Sequence, residues 1–343
     1  MSLSFADTAT RPASTHGHRS FLESFGGYIT VSEYYDNNVF NYSSTDRREF
    51  DTSGTANPRF GIKNLADFVT DVGARLDYTT GSKRKVQWRI RGLYDANVYA
   101  RNAFRNYNQL GLELRVAVKR SYLELAGRWL PKYYLRNLYW RHLPSTPKHS
   151  RYAAADYTRL SLAAELGTRI SRRLDGQVNL EVRKNDYAFP FNERDNTSMT
   201  GRARLKWRIN RKLDAYLQGS LGKVAAAGKD SVSILISDIS NRESGMEAGV
   251  RLRPDRLQRV AVSVSFAYSH QRYTSVKTAD RSHYYRKDNE YDWDVGVSWQ
   301  IHRHWQPGLL FSHRRSVSTI PQGLVDVGSF NGYRFGFQFV FTP

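Results

Sequence analysis

Arg202, Arg204, Lys206 and Arg208 occupy every second position of the segment MTGRARLKWRI. In an extended chain successive side chains point to opposite faces, so this spacing sets four cations in one row, with Met199, Ala203, Leu205, Trp207 and Ile209 behind them. Such a row is costly unless carboxylates or anionic ligands lie opposite. It also offers charge-assisted hydrogen bonds to an anion that has shed its water, which is how rings and ladders of Arg and Lys select anions in pores. Cations at the same kind of position recur along the chain as Arg75, Arg89, Arg91, Arg115, Arg128, Arg159, Arg169, Arg183, Arg251, Arg253 and Arg334, joined by Arg259 and Arg314. Acids share that face: Asp71, Asp77, Asp95, Glu113, Glu124, Glu165, Glu181, Glu247, Asp292 and Asp294. Two chemistries follow, selection of an anion by a cation-lined passage or mutual neutralisation by ion pairs.

Bond-making chemistry is poorly represented. The nine histidines fall in the tail, in loops and turns or at strand ends, and no Ser, His and acid spacing suggests a triad, so no enzyme is expected. His302 and His304 flank a tight turn, but two ligands are not a metal site. Glu290, Asp292 and Asp294 share one face and could hold Ca²⁺, although pairing with arginines is the better reading. Cysteine is absent, which removes disulfides, thiolate metal sites and a Cys nucleophile. With no Gly-rich phosphate loop either, no cofactor is expected.

The elements that must position these side chains are strands. Period-2 alternation recurs in residues 86–98, where Val86, Trp88, Ile90, Tyr94 and Val98 interleave with Gln87, Arg89, Arg91, Asp95 and Asn97, and again in 291–301. The pattern predicts strands near 27–35, 67–81, 85–99, 107–119, 121–135, 157–171, 174–188, 198–209, 213–225, 244–253, 258–273, 290–302, 305–318 and 331–342. Short connections alternate with long ones, the longest covering 36–66. No run of eighteen apolar residues exists and the mean hydropathy is −0.62, which rules out helical membrane spans and leaves spanning strands possible. The net charge of +20 would suggest nucleic acid if it were clustered on one face. Spread through strands and turns, it suggests a lined interior instead, with no nucleic-acid partner.

These features predict an all-β chain: an antiparallel up-and-down transmembrane β-barrel of about 14 strands in a bacterial outer membrane, with short periplasmic turns and long extracellular loops. Residues 26–343 form the barrel and 1–25 a polar N-terminal tail or small plug. The N-terminus lacks the charged and apolar regions of a signal peptide, so the chain reads as a mature or trimmed form. Tyr78, Trp88, Trp129, Trp207, Trp299 and Trp305 are expected at membrane boundaries, and basic turns such as Lys119, Arg120, Arg172 and Arg173 near anionic headgroups.

The last strand carries Tyr333, Phe335, Phe337, Phe339 and Phe341 in strict alternation. It resembles the C-terminal recognition strand of outer-membrane proteins, which implies recognition by the barrel assembly machinery. The pattern differs in that Thr342 and Pro343 follow the final aromatic. Tyr35, Asp36, Asn38, Val39 and Phe40 match a Tyr-Asp-x-Asn-Val-Phe element that follows the first strand in a broad group of outer-membrane β-barrel porins. The closing segments HRRSV and NGYRFGFQFVF are similar to that group's last hairpin. The resemblance implies a porin role, in some members exopolysaccharide export. The chain is also similar to the barrel domain of surface lipoprotein assembly modifiers, which carry helical repeats that this sequence lacks.

The leading expectation is a pore with a cation-lined lumen for anionic solutes, with export of an acidic exopolysaccharide as one form of it. The alternative is a structural or interaction barrel whose long loops bind a surface or periplasmic protein partner and whose lumen is closed by ion pairs. Outer-membrane lipid and lipopolysaccharide are expected around either. The loop 36–66 is expected to fold inward and narrow the passage, and VSILISDIS, residues 232–240, to extend a hairpin or offer a docking edge.

Overall fold

The computed structural model describes residues 25–81, 86–139, 152–230, 237–254, 259–276, 280, 282–320 and 328–343. The polar tail before Phe25 therefore lies outside the described residues, as do Lys83, Arg84, Lys85 and Arg256 of the basic turns. The strands are β1 (Phe25–Asp36), β2 (Asp67–Gly81), β3 (Val86–Tyr99), β4 (Tyr107–Val118), β5 (Ser121–Tyr139), β6 (Tyr152–Arg169) and β7 (Leu174–Tyr187). They continue as β8 (Asn196–Arg208), β9 (Leu213–Ala226), β10 (Asn241–Leu252), β11 (Val260–Tyr273), β12 (Lys287–Trp299), β13 (Trp305–Thr319) and β14 (Phe330–Phe341). An α-helix, α1 (Ser44–Ser53), sits in the loop between β1 and β2.

Each strand pairs antiparallel with its sequence neighbours, and β14 returns to β1 from Ile29 opposite Phe341 to Asp36 opposite Arg334, closing the ring. Closure leaves no unpaired edge, which makes strands tolerable in hydrocarbon. The exterior fits that solvent. Leu76, Leu112, Leu162, Leu221 and Phe337 are 62%, 60%, 59%, 72% and 62% exposed, and they share their outward parity with Tyr333, Phe335, Phe339 and Phe341 of β14. In water such a surface would forgo about 25 cal/mol for each Å² left unburied, a gain that hydrocarbon restores. The protein is thus a fourteen-stranded membrane-spanning β-barrel, with the short turns and both ends of the described barrel at one rim.

Sequence alternation locates the strand ends to within a few residues nearly everywhere. The largest departure is at β5 and β6, which extend to Tyr139 and back from Tyr152, into what alternation reads as loop. Register shifts between Leu130 and Tyr133 and between Tyr134 and Arg136 break the period of two there. Pro131, which has no N–H for the ladder, falls within the first of them. Residues 237–240 form no strand, and Ser237, Asp238 and Ser240 are buried, so the described part of 232–240 is not a docking edge.

Candidate functional site

The loop from Asn37 to Ala66 folds inward. Val39, Phe40, Tyr42, Phe60, Ile62 and Leu65 pack against Val69, Tyr99 and Tyr134, with Tyr34, Phe50 and Tyr107 around them. Tyr34, Val69, Tyr99 and Tyr107 have the inward parity of β1 to β4, so this apolar cluster lines the lumen wall near the long-loop rim. The helix in the loop is capped by a Ser43 and Asp46 capping box, and Arg59 reaches back to Asp46 and Glu49. Asn137, on the extension of β5, donates to the Pro58 carbonyl at 2.8 Å, which explains what that extension supports.

The Tyr-Asp-x-Asn-Val-Phe element starts this inward fold. Asp36 accepts from the Asn38 N–H at 2.9 Å and from Arg334 Nε at 2.7 Å. Asn38 Oδ1 accepts from the Tyr42 N–H at 2.9 Å, while its amide donates to the Tyr42 carbonyl at 2.8 Å and to the Asn331 carbonyl at 3.3 Å. The turn made by Asn38 sends Val39 and Phe40 inward, whereas Tyr35 stays outside against Phe68 and Tyr333.

Arg105, in the loop between β3 and β4 at the long-loop rim, holds the inward segment in place. Its guanidinium donates to the Val39 carbonyl and, at 3.0 Å, to the Tyr133 hydroxyl, and it lies 4.5 Å from the Phe40 ring centre and 5.2 Å from that of Tyr99. Burial works against its charge, but the Tyr133 and Tyr99 hydroxyls more than compensate, and its pKa rises. It stays cationic. Sequence reasoning missed Arg105 because it stands in a loop, outside any alternating run.

The cations read from the sequence all have the parity opposite the exposed apolar side chains, and most meet carboxylates. Arg75 binds Asp95 at 2.7 Å, Arg169 binds Asp175 at 3.3 Å, Arg204 approaches Glu247 at 3.6 Å, and Arg334 binds Asp36. Arg91 joins Asp77 at 2.6 Å to Glu113, which also meets Arg128, making a neutral chain of two acids and two bases. Other acids serve two cations each: Glu124 holds Arg89 and Arg115, Glu181 holds Arg183 and Arg202, and Asp214 lies between Arg208 and Arg253. Arg159 bonds to Asn185 and Tyr157, Arg251 keeps the same inward parity, and Lys206 has no acid partner among the described residues.

The charge is distributed unevenly around the lumen. Arg314 of β13 sits between two acids of β12, Glu290 at 3.0 Å and Asp292 at 2.9 Å, and Asp294 of β12 accepts from Ser312 and Ser265. Arginine thus occupies the face on which these acids could have held Ca²⁺, and an acidic stripe remains. In a ring of this order β12 stands opposite β5, where Glu124 gathers two arginines.

A repeated arrangement keeps aromatic rings flat on the inner wall. Tyr122 lies over Gly167 and Tyr216 over Gly249, where any Cβ would meet ring atoms at 2.3 and 2.5 Å. Each hydroxyl donates to the glutamate two residues earlier on the glycine's strand, Glu165 at 2.6 Å and Glu247 at 2.7 Å. An arginine from the preceding strand covers each ring, Arg115 at 4.0 Å and Arg204 at 4.6 Å. The glycines are required for this close approach.

Beside the long-loop rim, Ser237, Asp280 and His283 form a buried cluster. Ser237 Oγ at 3.3 Å and the Asp280 oxygens at 3.0 Å converge on the same nitrogen, His283 Nδ1. A proton relay needs the acid and the nucleophile on different ring nitrogens, so this is a structural clamp. Burial lowers the His283 pKa, Arg194 and Arg286 add to the effect, and Asp280 opposes it. Because the folded value lies below the ordinary 6.5, the clamp's contribution is complete above that pH and is lost as pH falls below it. Hydrogen-exchange protection of the segments around Ser237 and His283, after correction for the slower intrinsic exchange in acid, should therefore fall on acidification from neutral to pH 5. His283→Gln should flatten that response, and an unchanged response in this variant would assign it elsewhere.

His302 and His304 have ring centres 5.2 Å apart, but His304 already engages the Thr342 carbonyl through Nδ1 and Arg303 through Nε2.

No family model and no curated protein matches the sequence. Among solved structures, the outer-membrane channel DcaP of Acinetobacter baumannii is similar, with a TM-score of 0.50 and 8% identity over 93% of this chain and 96% of that one. The loop L8 deletion mutant of OmpT, an outer membrane protein of Vibrio cholerae, aligns with a TM-score of 0.45 and 7% identity over 93% and 99%. OpdK of Pseudomonas aeruginosa, solved with vanillate, gives 0.42 and 12% over 94% and 100%. The DcaP likeness agrees with the strand register: this is the fold of an outer-membrane barrel.

Proposed function

We propose that the barrel is a pore for small anionic solutes, narrowed at its long-loop end by the inward segment. The observation that carries this reading is stoichiometric. Glu124, Glu181 and Asp214 each lie between two arginines, so ion pairing leaves a net positive charge in each group. Paired arginines retain donors, since a guanidinium has five N–H groups and one carboxylate does not use them all. A permeating anion can exchange water for those donors. The similarity of the Tyr-Asp-x-Asn-Val-Phe element to a group of β-barrel porins supports the same role. The inward segment favours small solutes over an extruded acidic exopolysaccharide.

Single-channel recording in a planar bilayer under a KCl gradient tests this. The wild-type barrel should show a reversal potential on the anion-selective side. Replacing Arg202, Arg204, Lys206 and Arg208 by Ser should move it toward or through zero. A barrel that conducts nothing, even without residues 44–59, would favour the second reading, in which the ion pairs close the lumen and the loops bind a partner.

A further inference from the structure

The outer wall carries cations that the lumen does not explain. Lys223 on β9, Arg242 on β10, Arg272 on β11 and Lys287 on β12 stand directly opposite one another: Arg242 faces Lys223 on one side and Arg272 on the other, and Arg272 faces Lys287. All four are exposed. They have outward parity, sharing it with Leu221, Met246, Val264 and Trp293, which lie on the apolar face of the same strands.

Their height is set by strand geometry. Leu213, Leu252, Val260 and Trp299 mark the short-turn ends of these strands, and the four cations lie ten to twelve residues beyond them. A strand tilted about 40° that rises about 3.3 Å per residue crosses the roughly 25 Å apolar band in about ten residues. The row therefore meets the headgroup level of the leaflet on the long-loop side, which in an outer membrane is the outer leaflet.

Like charges placed directly opposite repel one another, and a row of four calls for an anion. The protein supplies none: among the described residues the outward positions of β9 to β12 carry no carboxylate, and none of the four cations has an acid partner. Lys184, outward on β7, shows the neutralised alternative, paired with Asp186 at 2.9 Å. Three steps between strands about 4.8 Å apart give the row a length of about 14 Å, too long for one phosphate to bridge. Below it an outward groove is lined by Phe266, Tyr291, Trp293, His313, Arg315 and Val317. A groove of aromatic rings with Arg315 at its edge is suited to the sugar and upper acyl portion of a lipid, and the row above it to phosphates.

We infer that this face of β9 to β13 is a binding site for a glycolipid of the outer leaflet that carries two phosphates, of the lipopolysaccharide class. The cations take the phosphates, and the aromatic groove takes the body of the lipid.

The test uses the full barrel purified in detergent, with bisphosphorylated lipid A as the probe and binding read by native mass spectrometry. Wild type should retain the probe at least tenfold better than the Arg242→Gln, Arg272→Gln double variant. Arg242→Lys with Arg272→Lys should retain most of the binding, since the charges remain. The gel shift of the folded barrel and its conductance should be the same in all three, which separates this result from the pore proposal. Equal retention by the Gln variant, equal binding of dephosphorylated lipid A, or full competition by millimolar inorganic phosphate would each overturn the inference.

Discussion

Arginine at Phe335, Phe337 and Phe339 together should abolish folding into lipid. These three side chains project into the apolar band from β14, at 51%, 62% and 38% exposure. A single arginine on the lipid face costs about 2 to 4 kcal/mol at the bilayer midplane and about 0 to 1 near the interfaces. Three substitutions spread over the band therefore approach the whole stability of a typical domain, about 5 to 15 kcal/mol. The measurement is refolding of denatured chain into lipid vesicles, read by the gel shift between folded and unfolded barrel. Asn331→Arg, near the long-loop rim, should refold normally. Refolding without cellular components isolates the membrane contribution, so defects seen only in cells can be assigned to recognition of the last strand by assembly machinery. If the triple variant refolded like wild type, the apolar exterior would not be the surface that lipid meets.

Arg105→Ala should release the loop between β1 and β2 and raise single-channel conductance severalfold. The side chain donates to the Val39 carbonyl and the Tyr133 hydroxyl and lies over the Phe40 and Tyr99 rings. A desolvated cation over an aromatic ring contributes about 2 kcal/mol, and a hydrogen bond from a charged group about 1.5 to 3. The loss should thus be about 3 kcal/mol or more, borne mainly by the inward segment because the strand register does not depend on it. Deleting residues 44–59 should raise conductance to a similar level. Combining the two changes should add little beyond either, because both act on one element. Full additivity would place the constriction elsewhere in the lumen.

The barrel was legible in the sequence because a wall one residue thick, with hydrocarbon outside and charge inside, enforces a period of two along every strand. The same rule placed Arg202, Arg204, Lys206 and Arg208 on one face. It could not show their partners, since Glu181, Asp214 and Glu247 come from three other strands, β7, β9 and β10, and register is set by pairing rather than composition. At β5 the rule failed where bulges beside Pro131 change the parity. Segment 36–66 was readable as a long loop that folds inward, but not what holds it there: Arg105, Asn137 and Asn102, whose side-chain oxygen accepts from the Lys63 N–H, lie far away in sequence. The outward cations were visible as residues, but their alignment across four strands required the register.

The Asn38 turn has a consequence for how the barrel closes. It is held from both sides of the seam: Asp36 belongs to β1, while its partner Arg334 and the Asn331 carbonyl belong to β14, and Asn37 accepts from the Tyr333 N–H at 2.8 Å. Until the last strand arrives, half of these contacts do not exist. The nascent sheet therefore carries a first loop anchored on one side alone, through Arg105 and Asn137, and the act that seals the cylinder adds the second anchor. A chain stalled before its final hairpin would be unsealed, and its first loop would keep only the contacts supplied by Arg105 and Asn137.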